Sequence, residues 1–405
     1  MARRSGRRAV TGPVLVALLA LLASSLGAAT AAAAQEPDTG PPGRVTADGA
    51  VLWDPLDGRV LWERDGDTPR RMASTTKIMT TLLAVEAGSI DDDVEISAIA
   101  AAADATPGAA TLQLQPGQRI AMRDLLTALM MRSGNDAAAA VAEHVAGSQD
   151  AFVARMNERA RELELTDTNF LDTTGLSNSP AHHASPVDLT RLAAHAMRSP
   201  VFADLVDDFR ADVPGLGPLT SRNLLLDSYR GATGVKTGYT ALAGLCLVAS
   251  ATRDGRTLYT AVLGSDNSFA DTTALLDHGF DTFAVTSAAN VAAGVYRTAD
   301  GTVDLQIVDA AERTVPVAGT VRVRSMLDPV APARIAPGTR LGRAELVVDG
   351  EVVDTAGIAA AAAPVAGDHI SGPASPAGGM GAAVEDTVRA FVRSQPRRTP
   401  VQLSG

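Results

Sequence analysis

A block of helical sequence set between short strand-like runs is what most restricts how this chain can fold. From Ser74 to Ala87 there is no Gly or Pro, and Ile78, Met79, Leu82, Leu83 and Val85 form an apolar set too broad for a surface stripe. A buried helix is expected there. Residues 122–145 and 150–165 also carry helical periodicity, with Phe152, Met156, Ala160 and Leu163 at three- and four-residue steps. On the N-terminal side, Val51-Leu52-Trp53 and Val60-Leu61-Trp62 flank Pro55-Leu56-Asp57-Gly58, the pattern of two strands joined by a short turn. On the far side, Leu245–Ala251 and Thr257–Leu263 return to short runs suited to buried strands.

Beyond residue 283 the composition turns to Val, Thr, Asp and Gly, with alternation in Val303-Asp304-Leu305-Gln306-Ile307 and Val321-Arg322-Val323-Arg324. Asp349-Gly350, between Glu345–Val348 and Glu351–Val353, favours the positive φ of a two-residue hairpin turn. An all-β domain is therefore expected over 283–366, after a larger domain over 45–282. Residues 367–405 form an Ala-, Gly- and Pro-rich tail. In it Val384, Val388, Phe391 and Val392 fall at helical spacing beside Arg389 and Arg393, and both a frayed terminus and a weak amphipathic membrane-surface helix fit. At the other end, Arg3, Arg4, Arg7 and Arg8 precede an apolar run from Pro13 to Leu26 and Ala-rich sequence to Ala34. This reads as a secretory signal peptide over 1–34, with a retained signal anchor as the competing reading. Residues 35–44 look like a solvated linker.

Composition narrows the function. Aromatic residues make up 3% of the chain, so stacking on nucleic-acid bases has little to rest on, and a net charge of −11, or −15 without the four N-terminal arginines, opposes a polyanion. Cys246 is the only cysteine, which rules out an internal disulfide and a Cys-cluster metal site; in its apolar setting it is expected to be a small buried hydrophobe. The histidines show no His-Glu-x-x-His spacing, and no Gly-x-Ser-x-Gly elbow accompanies them, so neither a zinc protease nor a His-based triad is expected. His182 and His183 are expected to serve structure in a loop. No metal or cofactor is expected.

Lys77 and Lys236 are the only lysines among 35 basic residues. Arginine keeps its proton at any relevant pH, whereas burial or a neighbouring cation can neutralise a lysine amine. The two lysines thus point to positions where an amine is chemically required. Lys77 follows Ser74 in Ser74-Thr75-Thr76-Lys77, which on a helix puts hydroxyl and amine on one face. A neutral amine there could take the serine proton. Bringing a lysine from about 10.4 to near 7 takes roughly 4 kcal/mol of preference for the neutral form, which a dry site beside Lys236 could supply. Ser133-Gly134-Asn135 lies 59 residues after Ser74, and Lys236-Thr237-Gly238 lies 103 residues after Ser133. Each tripeptide alone means little. In this order, and using both lysines, they are the set found in penicillin-binding proteins and class A β-lactamases.

At these residues the chain resembles the low-molecular-mass penicillin-binding proteins that are serine-type D-alanyl-D-alanine carboxypeptidases. The resemblance covers about 45–366 and includes Met72-Ala73-Ser74-Thr75-Thr76-Lys77-Ile78-Met79-Thr80, Leu114-Gln115-Pro116-Gly117, Arg222-Asn223-Leu224-Leu225 and Gly234-Val235-Lys236-Thr237-Gly238-Tyr239-Thr240. It implies an α+β fold: a penicillin-binding, β-lactamase-like transpeptidase domain with an antiparallel sheet and a helical subdomain, followed by a small all-β domain. It further implies a peptidoglycan stem peptide ending in D-Ala-D-Ala as substrate, β-lactam antibiotics as acylating inhibitors, and an exported enzyme at the cell wall or the outer face of the plasma membrane. The family's amphipathic C-terminal anchor is faint here, which implies weak or no membrane contact through the tail.

By the same resemblance Ser74 is the nucleophile and Lys77 the general base, while Ser133 relays a proton to the leaving amine beside Lys236. Asn135 would bind the substrate backbone, with a helix cap as its other reading. Thr237, Gly238 and Arg222 would receive the substrate's terminus, and the backbone N–H groups of Ser74 and Tyr239 would form the oxyanion hole. A class A β-lactamase is the nearest rival, but its Glu-x-x-Leu-Asn pattern is not matched by Glu164-Leu165-Thr166-Asp167. A non-catalytic peptidoglycan-binding module is the other rival, disfavoured by the intact set of motif residues.

Overall fold

In the computed structural model, which describes residues 42, 44–103, 110–291, 293–298, 301–328, 335–362 and 384–386, the two apolar triplets form antiparallel strands β1 (Gly49–Asp54) and β2 (Arg59–Arg64). The stretch over 1–34 and most of the tail lie outside the described residues. The Gly- and Pro-free segment starts as a 3-10 turn, Ala73–Thr76, and continues as α1 (Lys77–Glu86). It buries Ile78, Met79 and Leu82, each contributing about 1.5–3 kcal/mol. The hairpin of β3 (Asp93–Glu95) and β4 (Arg119–Ala121) brackets the short α2 (Ala98–Ala101). The helical run expected over 122–145 is broken. Here α3 (Met122–Arg132) stops at Ser133, which takes the left-handed conformation with φ 66°, and α4 (Asn135–Ala146) begins two residues on. Next come α5 (Gln149–Glu162), α6 (Pro186–Ala196) and α7 (Pro200–Asp207). Each is capped by a serine hydroxyl accepting a backbone N–H of its first turn, and the last two place Pro where its missing N–H costs nothing.

A second hairpin, β5 (Arg210–Val213) with β6 (Gly217–Thr220), and the short α8 (Leu225–Ser228) lead into β7 (Ala232–Thr240), β8 (Gly244–Arg253), β9 (Arg256–Ser265) and α9 (Ser268–Thr282). The main sheet runs β2-β1-β9-β8-β7, all antiparallel, so the N-terminal strands close onto a pair reached only after the whole helical block; Val51 faces Ala261. Alternate residues feed two cores. Val51, Val248 and Ala261 pack with Ile78, Leu125 and Leu189 of the helical block, while Leu52, Leu247 and Leu258 pack with Leu275 and Leu276 of α9. Asp271 on α9 fixes the entry to β1 by accepting from Thr46 N, Thr46 Oγ1, Ala47 N and Ser265 Oγ at 2.6–2.9 Å.

From Phe283 onward the described elements are strands apart from one 3-10 turn: β10 (Phe283–Ser287), β11 (Val295–Thr298), β12 (Gly301–Val308), β13 (Glu312–Pro316), β14 (Val321–Leu327), β15 (Arg340–Val348), β16 (Glu351–Ala360) and β17 (Val384–Asp386). They form a pair, β10-β13, and a six-stranded sheet ordered β11-β12-β16-β15-β14-β17. The β15–β16 hairpin turns at Asp349 and Gly350 with φ 51° and 96°, as the Asp-Gly pair predicts. Of the tail, for which a frayed terminus and a weak amphipathic helix both fit the sequence, Val384–Asp386 is a strand paired with the open edge of β14, and the other positions at helical spacing lie outside the described residues. Buried Asp54 links this region to the main sheet, accepting from Arg256 Nη2 at 2.8 Å and Thr314 Oγ1 at 2.7 Å. The α+β architecture anticipated from the resemblance is the one observed. Among the described residues no helix is long and apolar enough to cross a membrane.

Candidate active site

The 3-10 turn before α1 carries Ser74, which is nearly buried, and its entry is strained. Ala73 has φ 48°, a conformation that costs a non-glycine residue roughly 1–3 kcal/mol and is held only where the surroundings enforce it. Lys77, fully buried, has Nζ 3.0 Å from Ser74 Oγ. The same amine donates to Asn135 Oδ1 at 2.8 Å and to the Thr174 carbonyl at 2.7 Å. Asn135 opens α4 while Gly134 occupies the cap position, so its amide serves Lys77 and does not cap the helix. Ser133 arrives at the break between α3 and α4. Its Oγ is buried and has no hydrogen-bond partner among the described residues, although a neutral hydroxyl left so is a cost of about 1–3 kcal/mol.

Strand β7 packs against the Ser74 turn. As the edge of the main sheet it leaves one row of backbone groups outside the ladder. Gly238 brings that edge onto the nucleophile: a Cβ there would lie 3.0 Å from Ser74 N and 3.2 Å from Met72 O, so glycine permits the approach. Tyr239 next to it is exposed. Lys236 is buried, its Nζ donating to the Thr237 carbonyl at 2.8 Å. Burial first, and then the positive charges of Lys77 and Arg222, hold its ammonium well below a lysine's usual range. Lys77 and Lys236 are thus close enough for a charge on the first to disfavour an ammonium at the second. Arg222 joins the same cluster. Its backbone N–H donates to Met131 O at 2.9 Å, which docks it beside the end of α3, and burial together with Arg132 lowers its own guanidinium. Every charge acting on Lys236 is thus positive, which suits an anionic ligand group.

Sequence reasoning did not find the support behind these residues. Asp172 gathers the loop over 172–177, its Oδ1 accepting from Thr174 N and Gly175 N and its Oδ2 from Ser177 N. That loop presents the Thr174 carbonyl to Lys77. Burial alone would raise the Asp172 carboxyl, but His182 and the three N–H donors outweigh it and hold it below the usual carboxylate range. His182 is buried, as a structural role requires. Its Nδ1 accepts from Leu171 N at 2.9 Å, so its Nε2 carries the hydrogen and donates to Thr76 Oγ1 at 2.9 Å, beside the nucleophile. Burial lowers its pKa, against the opposing pull of Asp172. An Asp three residues before a Gly is a turn signal, and it was the one available clue to this loop. Cys246 is buried in β8, and Glu164 lies exposed just after α5.

Comparison with known proteins identifies the family. A family model described as D-alanyl-D-alanine carboxypeptidase matches residues 30–267. The chain is 33% identical over 297 residues to the D-alanyl-D-alanine carboxypeptidase of Streptomyces sp. strain K15, covering 68% of this chain and 99% of that protein. It is 34% identical over 249 residues to D-alanyl-D-alanine carboxypeptidase DacF of Bacillus subtilis, covering 58% of this chain but only 63% of the Bacillus protein. Among solved structures, penicillin binding protein 6B from Escherichia coli superposes with TM-score 0.66 at 28% identity, covering 79% of this chain and 97% of the other. Penicillin binding protein 5 from Haemophilus influenzae gives 0.64 at 28%, covering 80% and 99%.

Proposed function

This chain belongs to the D-alanyl-D-alanine carboxypeptidase family, and we propose that it is a serine-type hydrolase that removes the terminal D-Ala from peptidoglycan stem peptides through an acyl-enzyme on Ser74. The contact of Ser74 Oγ with Lys77 Nζ at 3.0 Å carries this reading. A neutral amine that gives hydrogens to Asn135 Oδ1 and Thr174 O can turn its lone pair to the Ser74 hydroxyl and take its proton. The serine oxygen attacks the carbonyl of the penultimate D-Ala, and backbone N–H groups of Ser74 and Tyr239 stabilise the oxyanion. Ser133 passes a proton to the departing nitrogen and is reprotonated by the Lys77 ammonium, which returns to a neutral amine; the C–N bond breaks and D-Ala leaves. Lys77 then activates water to cleave the ester and regenerate Ser74.

Thr237, Gly238 and Arg222 receive the substrate's terminal carboxylate, because a guanidinium fork matches a carboxylate. Asn135 also meets the substrate backbone. A β-lactam presents a strained amide to the same groups and acylates Ser74. Such a substrate requires export, consistent with the arginines and apolar run of the first 34 residues. Incubation with diacetyl-L-Lys-D-Ala-D-Ala should release one equivalent of D-Ala per peptide, and Ser74→Ala should release none. Undiminished release by Ser74→Ala contradicts the assignment.

A further inference from the structure

The carbonyl of Ala73 and the N–H of Ser74 belong to one peptide unit, and because that unit is planar and trans the two groups point to opposite sides of it. On the N–H side lies β7, where a Cβ at Gly238 would come 3.0 Å from Ser74 N. On the carbonyl side the peptide meets a directed chain of hydrogen bonds. Leu171 N donates to His182 Nδ1 at 2.9 Å, His182 Nε2 donates to Thr76 Oγ1 at 2.9 Å, and Thr76 Oγ1 gives its single hydrogen to Ala73 O at 2.8 Å. A backbone N–H can only donate, so the one at Leu171 sets the direction of every later link. Ala73, Thr76 and His182 are buried, and the Gly175 backbone closes over the Ala73 carbonyl so tightly that a methyl at 175 would overlap it. Linked hydrogen bonds in such a dry setting polarise one another by about 10–30% per bond.

We propose that Thr76 and His182 are positioning residues for the oxyanion hole: by drawing electron density toward the Ala73 oxygen, they polarise the Ala73–Ser74 peptide and strengthen its N–H as a donor to the tetrahedral oxyanion. The inference rests on the carboxypeptidase reading, in which Ser74 N is one of two such donors, and adds to it two residues that act through the backbone. The neighbouring Thr75 supplies the contrast. It is buried as well, and its Oγ1 donates to Met72 O at 2.6 Å. That carbonyl shares its peptide with Ala73 N, which is not a donor to the oxyanion. Two adjacent threonines thus make like bonds in one turn, and only one of the bonds reaches the hole. Losing a whole oxyanion donor costs about 10²–10³ in kcat. Losing about 10–30% of its effect, taken on the logarithmic scale, corresponds to about a two- to eightfold fall.

The test follows the ester carbonyl of the acyl-enzyme, whose oxygen occupies the hole, by infrared difference spectroscopy with benzylpenicillin carrying carbon-13 at its β-lactam carbonyl. A weaker donor lets the carbonyl stretch rise. Thr76→Val should therefore move the band to higher frequency and lower kcat for D-Ala release by about two- to eightfold with KM unchanged. Thr76→Ser, which keeps the hydroxyl, should restore both. Thr75→Val should lower Tm as Thr76→Val does but leave the band in place. His182→Phe keeps a ring edge-on to Phe170 while cutting the link to Thr76. It should give a smaller upshift, and it reads the proposal independently should Thr76→Val not fold. An unmoved band in Thr76→Val, or in His182→Phe where that variant alone folds, or an equal shift in Thr75→Val, overturns the proposal while leaving the acyl-enzyme on Ser74 intact. Failure of the wild-type chain to form the acyl-enzyme overturns the carboxypeptidase reading as well.

Discussion

Replacing Gly175 with Ala asks whether the loop behind the nucleophile sets its position. Gly175 has φ 90°, and a methyl built there would overlap the Ala73 carbonyl and lie 2.9 Å from Ser74 N. Those atoms are backbone and cannot swing aside. Forcing an L-residue into this conformation costs about 1–2 kcal/mol, and overpacking adds about 1–3 kcal/mol. The combined loss of roughly 2–5 kcal/mol corresponds to a fall in Tm of about 4–20 °C for a domain of this size. The strain is relieved by moving either the Ala73–Ser74 turn or the loop, and the loop carries the Thr174 carbonyl that holds Lys77 at 2.7 Å. A displacement near 1 Å between nucleophile and base is worth about a hundredfold in rate. The assay is pseudo-first-order acylation by a fluorescent penicillin, run well below the variant's Tm and on protein with wild-type circular dichroism. Acylation at the wild-type rate, or an unchanged Tm, refutes the reasoning.

Lys236→Met should separate stability from chemistry. Because the fold disfavours the Lys236 ammonium, the unfolded chain binds more protons below a lysine's ordinary pKa, so this group makes stability rise with pH through the neutral to alkaline range. The variant should melt at or above the wild-type temperature at pH 7, show a shallower rise in Tm from pH 7 to 9, and lose acylation; a Tm several degrees lower contradicts the burial cost. Asp271→Ala strips the acceptor from Thr46 N, Thr46 Oγ1, Ala47 N and Ser265 Oγ and should cost about 3 kcal/mol or more in urea unfolding without slowing acylation below the transition. The thiol of Cys246, pushed up to about 12 by burial, should stay protonated and unreactive toward a disulfide reagent at pH 8 until the chain is unfolded. Rapid labelling of native protein contradicts that placement.

What could be read from sequence follows the range of the forces involved. Alternating and helical periodicities record burial, so β1, β2, α1, α5, β8 and β9 were legible, and Asp349-Gly350 gave its turn through local backbone preference. The break at Ser133 was hidden because hydrophobic spacing continues across it, although the catalytic motif sits on that break. The site's chemistry was visible in residue types, since two lysines in an arginine-rich chain stand out. Its support was not. Asp172, Thr174 and His182 act through backbone groups and a buried ring, and no periodic pattern marks a carbonyl aimed at an amine. The strand at Val384–Asp386 was not legible because a long-range partner, β14, decides the conformation of so short a segment.

The central claim is that Ser74, activated by Lys77, becomes covalently acylated. Intact mass spectrometry after a short incubation with benzylpenicillin, followed by peptide mapping, measures this directly. One adduct per chain is predicted, located on Ser74 and missing from Ser74→Ala and Lys77→Met. An adduct on another residue, or none on folded protein, contradicts the account.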